Sequence, residues 1–122
     1  FDVGRHPSQK MEPERFYHGF VLGLIVELAD RYYISSNRES GFGRYDVMLE
    51  PINKADKAFI FEFKVYNPSK DSDLKAAAEN ALAQIEQRKY SNVLIERGID
   101  REQIYYYGFA FEGKKVLIIG KF

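Results

Sequence analysis

The stretch that most constrains the fold is the strand-like segment "AFIFEFKVY", residues 58–66. Aromatic and β-branched residues dominate it, and such residues pack well on a pleated sheet. Because side chains alternate along a strand, Glu62 and Lys64 share one face with Ile60, and the other face is wholly apolar. A strand that is apolar on both faces is expected to be central and buried, where charged side chains need a physical reason.

The rest of the chain predicts helices and strands in a definite order around this strand. A long helix starts near Glu12, and the clearest helix follows the central strand, with Asp71 or Ser72 as its expected N-terminal cap. Strands on both sides of a long helix predict a mixed sheet with helices packed on it, an α/β or α+β fold. The predicted elements are a helix over 12–33, strands over 32–36, 44–50 and 58–66, helices over 74–90 and 91–98, and two strands within 103–122.

Composition limits the class of protein. The chain has 122 residues, 45% of them hydrophobic, which predicts one globular domain, and we assign it to residues 12–122. Residues 1–11 are polar and begin without methionine, so we interpret them as a tail or linker from a missing N-terminal region.

The absence of cysteine, the short apolar runs and the balanced charge limit which sites and partners the chain can have. No cysteine is present, which rules out disulfides and thiolate metal sites and fits a reducing compartment. No apolar run reaches membrane-spanning length and no signal peptide is visible, so we expect a cytoplasmic protein without a membrane partner. The formal net charge is zero, so composition gives no support for nucleic-acid binding, and any such function needs an argument from a site.

Asp46 makes Glu62 and Lys64 candidates for chemistry. Asp46 lies on the strand that precedes the central one, and the turn "PINKADK" between them predicts an antiparallel hairpin. If their polar faces agree, the two carboxylates converge, and they repel unless a cation lies between them. Mg²⁺ prefers oxygen ligands and keeps several waters, so this pair with a backbone carbonyl is a plausible site. Lys64 would orient or help activate a bound water, or offset phosphate charge in the transition state.

The alternative interpretation is structural. A Glu-x-Lys pair on a strand is commonly a solvated face or a surface salt bridge worth roughly 0–1 kcal/mol. The loop "NRESGFGR" has the same ambiguity. Its glycines would let backbone amides approach a phosphate, with Arg38 and Arg44 as contacts, but a plain hairpin loop is the favoured interpretation.

The residues resemble the PD-(D/E)XK nuclease superfamily. "GRYDVMLEP" followed after a short gap by "AFIFEFKVY" matches its signature of an acidic residue and then (Asp/Glu)-x-Lys on the next strand. Here these positions are Asp46, Glu62 and Lys64, although Tyr45 replaces the proline before the first acid. The stretches "FYHGFVLGL", "SNRESGFGRYD", "ALAQI" with a nearby "KY", and "YGFAFEGKKV" are similar to one small branch, found C-terminal to a predicted AAA-type ATPase region.

The resemblance implies a fold, an activity and partners. It implies a restriction-endonuclease-like α-β-β-β-α-β core and cleavage of phosphodiester bonds with Mg²⁺ or Mn²⁺. The implied partners are nucleic acid, DNA rather than RNA, and the ATPase region of the same protein. A homodimer is compatible with the sequence, which leaves the oligomeric state open.

The resemblance also implies roles for residues around the triplet. The carbonyl of Phe63 would be a further metal ligand, and Gln84 matches a helix glutamine that supports the lysine or the phosphate. Tyr90 matches the "KY" pair and would orient a site group, while Glu14 and His18 would be accessory groups on the first helix. Ordinary boundary packing explains Gln84 and Tyr90 as well, and a lone helix histidine is more often structural.

The resulting hypothesis is a metal-dependent nuclease domain in which Asp46 and Glu62 bind the metal, Lys64 positions the attacking water and Gln84 supports it. One alternative keeps the fold without catalysis, as a module for nucleic-acid binding or protein interaction. A second alternative is a structural or oligomerisation domain, for which Glu62 and Lys64 should be solvent-exposed.

Overall fold

The computed structural model describes residues 11–38, 44–88 and 91–121, and in these ranges the predicted order of helices and strands is confirmed. A short 3₁₀ turn, Arg101–Gln103, precedes the fourth strand. No helix in the described ranges is both long and apolar enough to cross a membrane. The elements are α1 Met11–Leu28, β1 Tyr32–Arg38, β2 Arg44–Pro51, β3 Ala58–Val65, α2 Leu74–Arg88, α3 Ser91–Glu96, β4 Ile104–Glu112 and β5 Lys115–Lys121.

The strands form one five-stranded mixed sheet in the order β1-β2-β3-β4-β5. The β1–β2, β2–β3 and β4–β5 pairs are antiparallel, and the β3–β4 pair is parallel. Parallel neighbours need a crossover connection, which α2 and α3 supply here. Strand β3 is therefore the middle strand, as its apolar character on both faces predicted. The sheet and its flanking helices form an α+β fold, as predicted.

One face of the sheet is an aromatic layer covered by α1. Phe63 and Phe109 lie in it with ring centroids 4.7 Å apart, and Phe20 of α1 reaches Phe111 at 5.5 Å. Such tilted and edge-to-face arrangements suit the quadrupoles of aromatic rings. This layer holds most of the large apolar side chains, which leaves the other face of the sheet available for polar ones. Its buried members are Val47, Leu49, Phe61, Phe63, Phe109 and Phe111, with Phe20, Leu24, Ile25 and Leu28 of α1 packed on them.

The opposite face is covered by α2 at very short range. Ala77, Ala78 and Ala81 of α2 are fully buried. A Cβ atom added to Gly108 of β4 would lie 2.5 Å from the carbonyl oxygen of Ala78, a distance that real Cβ atoms do not adopt. Only glycine at this position lets the helix backbone rest directly on the sheet.

The start of α2 corrects one prediction. The expected caps, Asp71 and Ser72, do not cap the helix, because it begins at Leu74 and the Oδ1 of Asp73 accepts a hydrogen bond of 2.7 Å from the N–H of Ala76. This is the bond that an N-cap side chain makes to the third helical residue. Asp71 has a different contact, at the site described below.

Polar contacts far from the centre of the sheet tie the segment that follows α3 to the end of β2 and to the β2–β3 turn. Arg97 donates to Glu50 at 2.6 Å, and the Nε2 of Gln103 donates to the carbonyls of Lys54 and Asp56 at 2.8 Å each. These bonds satisfy backbone groups of the turn and fix the crossover against the sheet. They lie near the start of β3, whereas the charged pair of β3 lies near its end.

Candidate active site

Asp46 and Glu62 are direct neighbours across β2 and β3. Both side chains therefore point to the α2 face, and residues so paired have Cβ atoms about 4.5–5.5 Å apart. Asp46 is 5% exposed and Glu62 is 0% exposed. The two carboxylates converge in a shielded place, which is the arrangement that a shared cation requires.

The burial of Glu62 has a structural cause on its other side. Gly108 of β4 is its neighbour in the parallel pair. Because Gly108 has no side chain, α2 descends onto the sheet beside Glu62, as the close approach of Ala78 shows. Glu62 is thus enclosed by Asp46 on one side and by the helix on the other, and water has little access to it.

Lys64 lies two residues further along β3 on the same face, and it is 8% exposed. The interpretation of Glu62 and Lys64 as a solvated surface pair is therefore wrong, because α2 and its preceding loop cover both side chains. The expectation of exposed residues that accompanied the structural or oligomerisation alternative fails for the same reason. Lys64 therefore lies on the same buried face of the sheet as the two carboxylates, two residues from Glu62.

Asp71 is a site residue that the sequence did not reveal. Its Oδ1 forms an ion pair of 2.7 Å with the Nζ of Lys64, and it is 8% exposed. The Oδ1 of Asn80 on α2 is a second, longer acceptor for the same Nζ at 3.4 Å. The sequence signal was weak, since an aspartate in the polar stretch "NPSKDSD" is typical of loops and caps. Only the path of the loop between β3 and α2 brings it to the lysine.

Gln84 lies on α2 one helical turn beyond Asn80, so these two residues share one side of the helix. It is half-buried. This position is compatible with the predicted support of Lys64 or phosphate, which stays a prediction.

Five other candidates come from α1, from β1 and β2, and from the segment after α2. Glu14 and His18 belong to α1, and Arg38 and Arg44 belong to β1 and β2, but their side chains lie outside the described part of the structure. Tyr90 lies outside the described residues altogether. Their proposed roles stay predictions.

A cleft of about 110 Å³ opens beside Asp46. Its apolar walls come from Met48, Ile60 and Val93 of α3, and Ser35 of β1 adds a hydroxyl. The cleft gives Asp46 a route to solvent on the β1 side, while α2 lies over the opposite side of the pair, at Glu62. A ligand can therefore approach Asp46 from this direction.

The donor set fits a hard divalent cation. Two facing carboxylates supply oxygen ligands, which Mg²⁺ and Mn²⁺ prefer, and Phe63 between Glu62 and Lys64 carries the predicted carbonyl ligand. Among side chains that the structure describes, no three His, Cys, Asp or Glu residues gather around one point. One or two carboxylates can suffice for Mg²⁺, because it retains waters and binds substrate phosphates.

Comparison with models of protein families gives a match to a nuclease superfamily. A profile of the PD-(D/E)XK nuclease superfamily matches residues 12–121, nearly the whole chain. No curated protein and no solved structure matched the sequence. The match covers every element that carries the site, from α1 to β5. The chain therefore belongs to the PD-(D/E)XK nuclease superfamily.

Proposed function

We propose that this domain hydrolyses phosphodiester bonds of nucleic acid, DNA rather than RNA, with a divalent cation, Mg²⁺ or Mn²⁺. The observation that carries the proposal is the direct pairing of Asp46 with Glu62, both buried, on the face that also holds Lys64. Membership of a nuclease superfamily supports the reaction class. Buried charges on a central strand are costly, and a catalytic site gives them a physical reason.

Each residue of the site has a proposed task. Asp46 and Glu62 would hold the cation, with the carbonyl of Phe63 as a further ligand. When bound, such a cation supplies Lewis-acid chemistry, since it polarises a phosphoryl oxygen and makes water a better nucleophile. Lys64 would donate a hydrogen bond to the attacking water or to the phosphate, where negative charge grows in the transition state. Gln84 would support Lys64 or the phosphate from α2.

The experiment compares purified protein with its Lys64→Ala variant in Mg²⁺ or Mn²⁺. Substrates are single-stranded, duplex and branched DNA and RNA of equal length. We expect Lys64→Ala to lose about 10²–10³-fold in cleavage rate, the usual cost of removing one preorganised donor to a developing anion. Lys57→Ala is the matched control, because Lys57 is exposed and precedes β3 at its far end.

Cleavage at the same rate by the wild type and Lys64→Ala would rule out this mechanism. A second candidate function, a nuclease-fold module that binds nucleic acid or protein without cutting, is favoured by the zero net charge. This second function predicts that neither the wild type nor Lys64→Ala cleaves any substrate. It also predicts that Asp46→Asn binds nucleic acid or the protein partner as tightly as the wild type does.

We also propose a setting for the domain. In the branch that the sequence resembles, the domain follows a predicted AAA-type ATPase region. By analogy, residues 12–122 would be the nuclease domain, and residues 1–11 would link it to such a region. Cleavage by the longer protein that depends on ATP, beside ATP-independent cleavage by the isolated domain, would support this arrangement.

A further inference from the structure

We propose that Asp71 is a positioning residue for Lys64, and that it holds the lysine ammonium where the reaction needs it. The inference rests on the proposed function, in which Lys64 donates to the attacking water or the phosphate. It assigns a role to a loop residue outside the triplet of Asp46, Glu62 and Lys64. Its evidence is the contact geometry around the ammonium group.

The contact between Lys64 and Asp71 is short and shielded. The Nζ–Oδ1 distance is 2.7 Å and both residues are 8% exposed. A charge-assisted hydrogen bond of this length is among the stronger ones in proteins. A buried ion pair adds little net stability compared with apolar residues, so its presence beside the carboxylates points to placement of the charge.

Asp71 is itself fixed by the loop between β3 and α2. Its Oδ2 accepts a hydrogen bond of 3.0 Å from the backbone N–H of Asn67. Its own N–H donates to the carbonyl of Asn67 at 2.8 Å. The Asn67 side chain accepts bonds from the N–H and hydroxyl of Ser69, which closes the turn. Both carboxylate oxygens of Asp71 are therefore committed, one to the backbone and one to Lys64.

The ammonium is held from two elements. Asn80 of α2 lies 3.4 Å from the Nζ, so the loop and the helix both direct the lysine. A lysine ammonium has three N–H donors. Two of them meet Asp71 and Asn80, and we assign the third to the water or phosphate. Without Asp71, the flexible lysine stem would sample other positions, and a misplacement of about 1 Å can cost 10²-fold in rate.

The test uses Asp71→Asn, Asp71→Ala and the control Asp73→Ala in the full 122-residue chain. Asp73 lies two residues away in the same loop and caps α2, so its removal lowers stability without touching Lys64. The first readout is the ¹H–¹⁵N signal of the Lys64 ammonium, which is visible when a short ion pair slows proton exchange. The second readout is kcat and KM for cleavage.

We expect Asp71→Ala to lose the ammonium signal and about 10²-fold in kcat, with KM nearly unchanged. Asp71→Asn keeps the shape and one acceptor, so it should lose less kcat, and it remains informative if Asp71→Ala does not fold. Asp73→Ala should keep both the signal and kcat while its urea midpoint falls.

Two results separate this inference from the proposed function. If Lys64→Ala is inactive but both Asp71 variants keep the wild-type ammonium signal and kcat, the positioning role is wrong and the nuclease mechanism stands. If the chain cleaves nothing, the ammonium signal alone decides. Its loss in the Asp71 variants supports the placement of Lys64, and its survival overturns it.

Discussion

At the scale of single residues, the most expensive feature is the pair of facing carboxylates. Asp46 and Glu62 are both buried and lie opposite each other on adjacent strands. Like charges at directly opposed positions destabilise a sheet, and burial adds a desolvation cost. In the proposed metal site, this repulsion would be a strain on the metal-free fold, and a bound cation would relieve it.

This strain predicts an unusual response to Asp46→Asn. The melting temperature of the metal-free variant should exceed that of the wild type, because one of two facing negative charges is gone. Saturating Mn²⁺ should raise the melting temperature of the wild type, because binding at a hundred times Kd adds about 2.7 kcal/mol to the free energy of unfolding. The melting temperature of the variant should not change. Differential scanning calorimetry with and without metal measures both effects.

Glu50→Gln is the control for this prediction. Glu50 lies on the same strand and face as Asp46, but it pairs with Arg97 instead of another carboxylate. Its variant should melt lower than the wild type and keep the metal response. A metal-free Asp46→Asn variant that also melts lower and responds to Mn²⁺ like the wild type would contradict the assigned metal site.

The positions of the site residues were predictable only where the side chains follow the regular alternation of a strand. The alternation of side chains placed Glu62 and Lys64 on one face, and a hairpin placed Asp46 beside them. Asp71 follows no such period, because its position depends on turns within 67–73 and on the approach of α2. The cap was assigned one or two residues early for the same reason, since polar loop residues differ little in pattern.

At the scale of elements, Gly108 sets the height of α2 above the sheet. The helix backbone occupies the volume of the missing side chain. Any Cβ atom at Gly108 would push α2 outward. The helix would then move away from Glu62, and Asn80 would move away from the Nζ of Lys64. The glycine is therefore a packing requirement of the site, not a point of flexibility.

Gly108→Ala should destabilise the fold by about 1–3 kcal/mol, the usual cost of overpacking. Gly23→Ala is the matched comparison, because Gly23 lies in the interior of α1 and an added Cβ would meet no described atom within 4 Å beyond its chain neighbours and the backbone of its own helix. That variant should gain about 0.4–1 kcal/mol. Urea unfolding followed by circular dichroism measures both, and equal stabilities for the two variants would contradict the packing argument.

The order of the elements was predictable and their arrangement was only partly so. Periods of 3.6 and 2 identify α1, α2 and the strands, and the hairpin follows from the short β2–β3 turn. The parallel pairing of β3 with β4 joins segments separated by two helices, and no local pattern encodes it. The turn residue Gly98, with φ of 96°, did mark the end of α3.

At the scale of the whole molecule, charge limits how the domain engages nucleic acid. The 18 basic and 18 acidic residues balance. A protein with no excess positive charge gains little from counterion release, so its own affinity for DNA should be low. Delivery to a substrate by another part of a longer protein is consistent with this balance.

The salt dependence of DNA binding should therefore be shallow. Each phosphate contact contributes about −0.9 to the slope of log K against log salt, so two or three contacts give about −2 to −3. Fluorescence anisotropy of a labelled duplex with Lys64→Ala, between about 50 and 200 mM salt, measures it. A slope near −10 would instead indicate an extended basic surface, contrary to the balanced charge.

The alternation of strand β3 has a consequence for how this chain can vary. Odd positions such as Phe61 and Phe63 supply the aromatic layer, and even positions such as Glu62 and Lys64 supply the site. One inserted or deleted residue inside β3 would exchange the two sets, putting phenylalanine beside Asp46 and a carboxylate among the rings. Strand β3 can therefore accept substitutions but not the insertion or deletion of a single residue. Related chains should differ in length only in the loops around this strand.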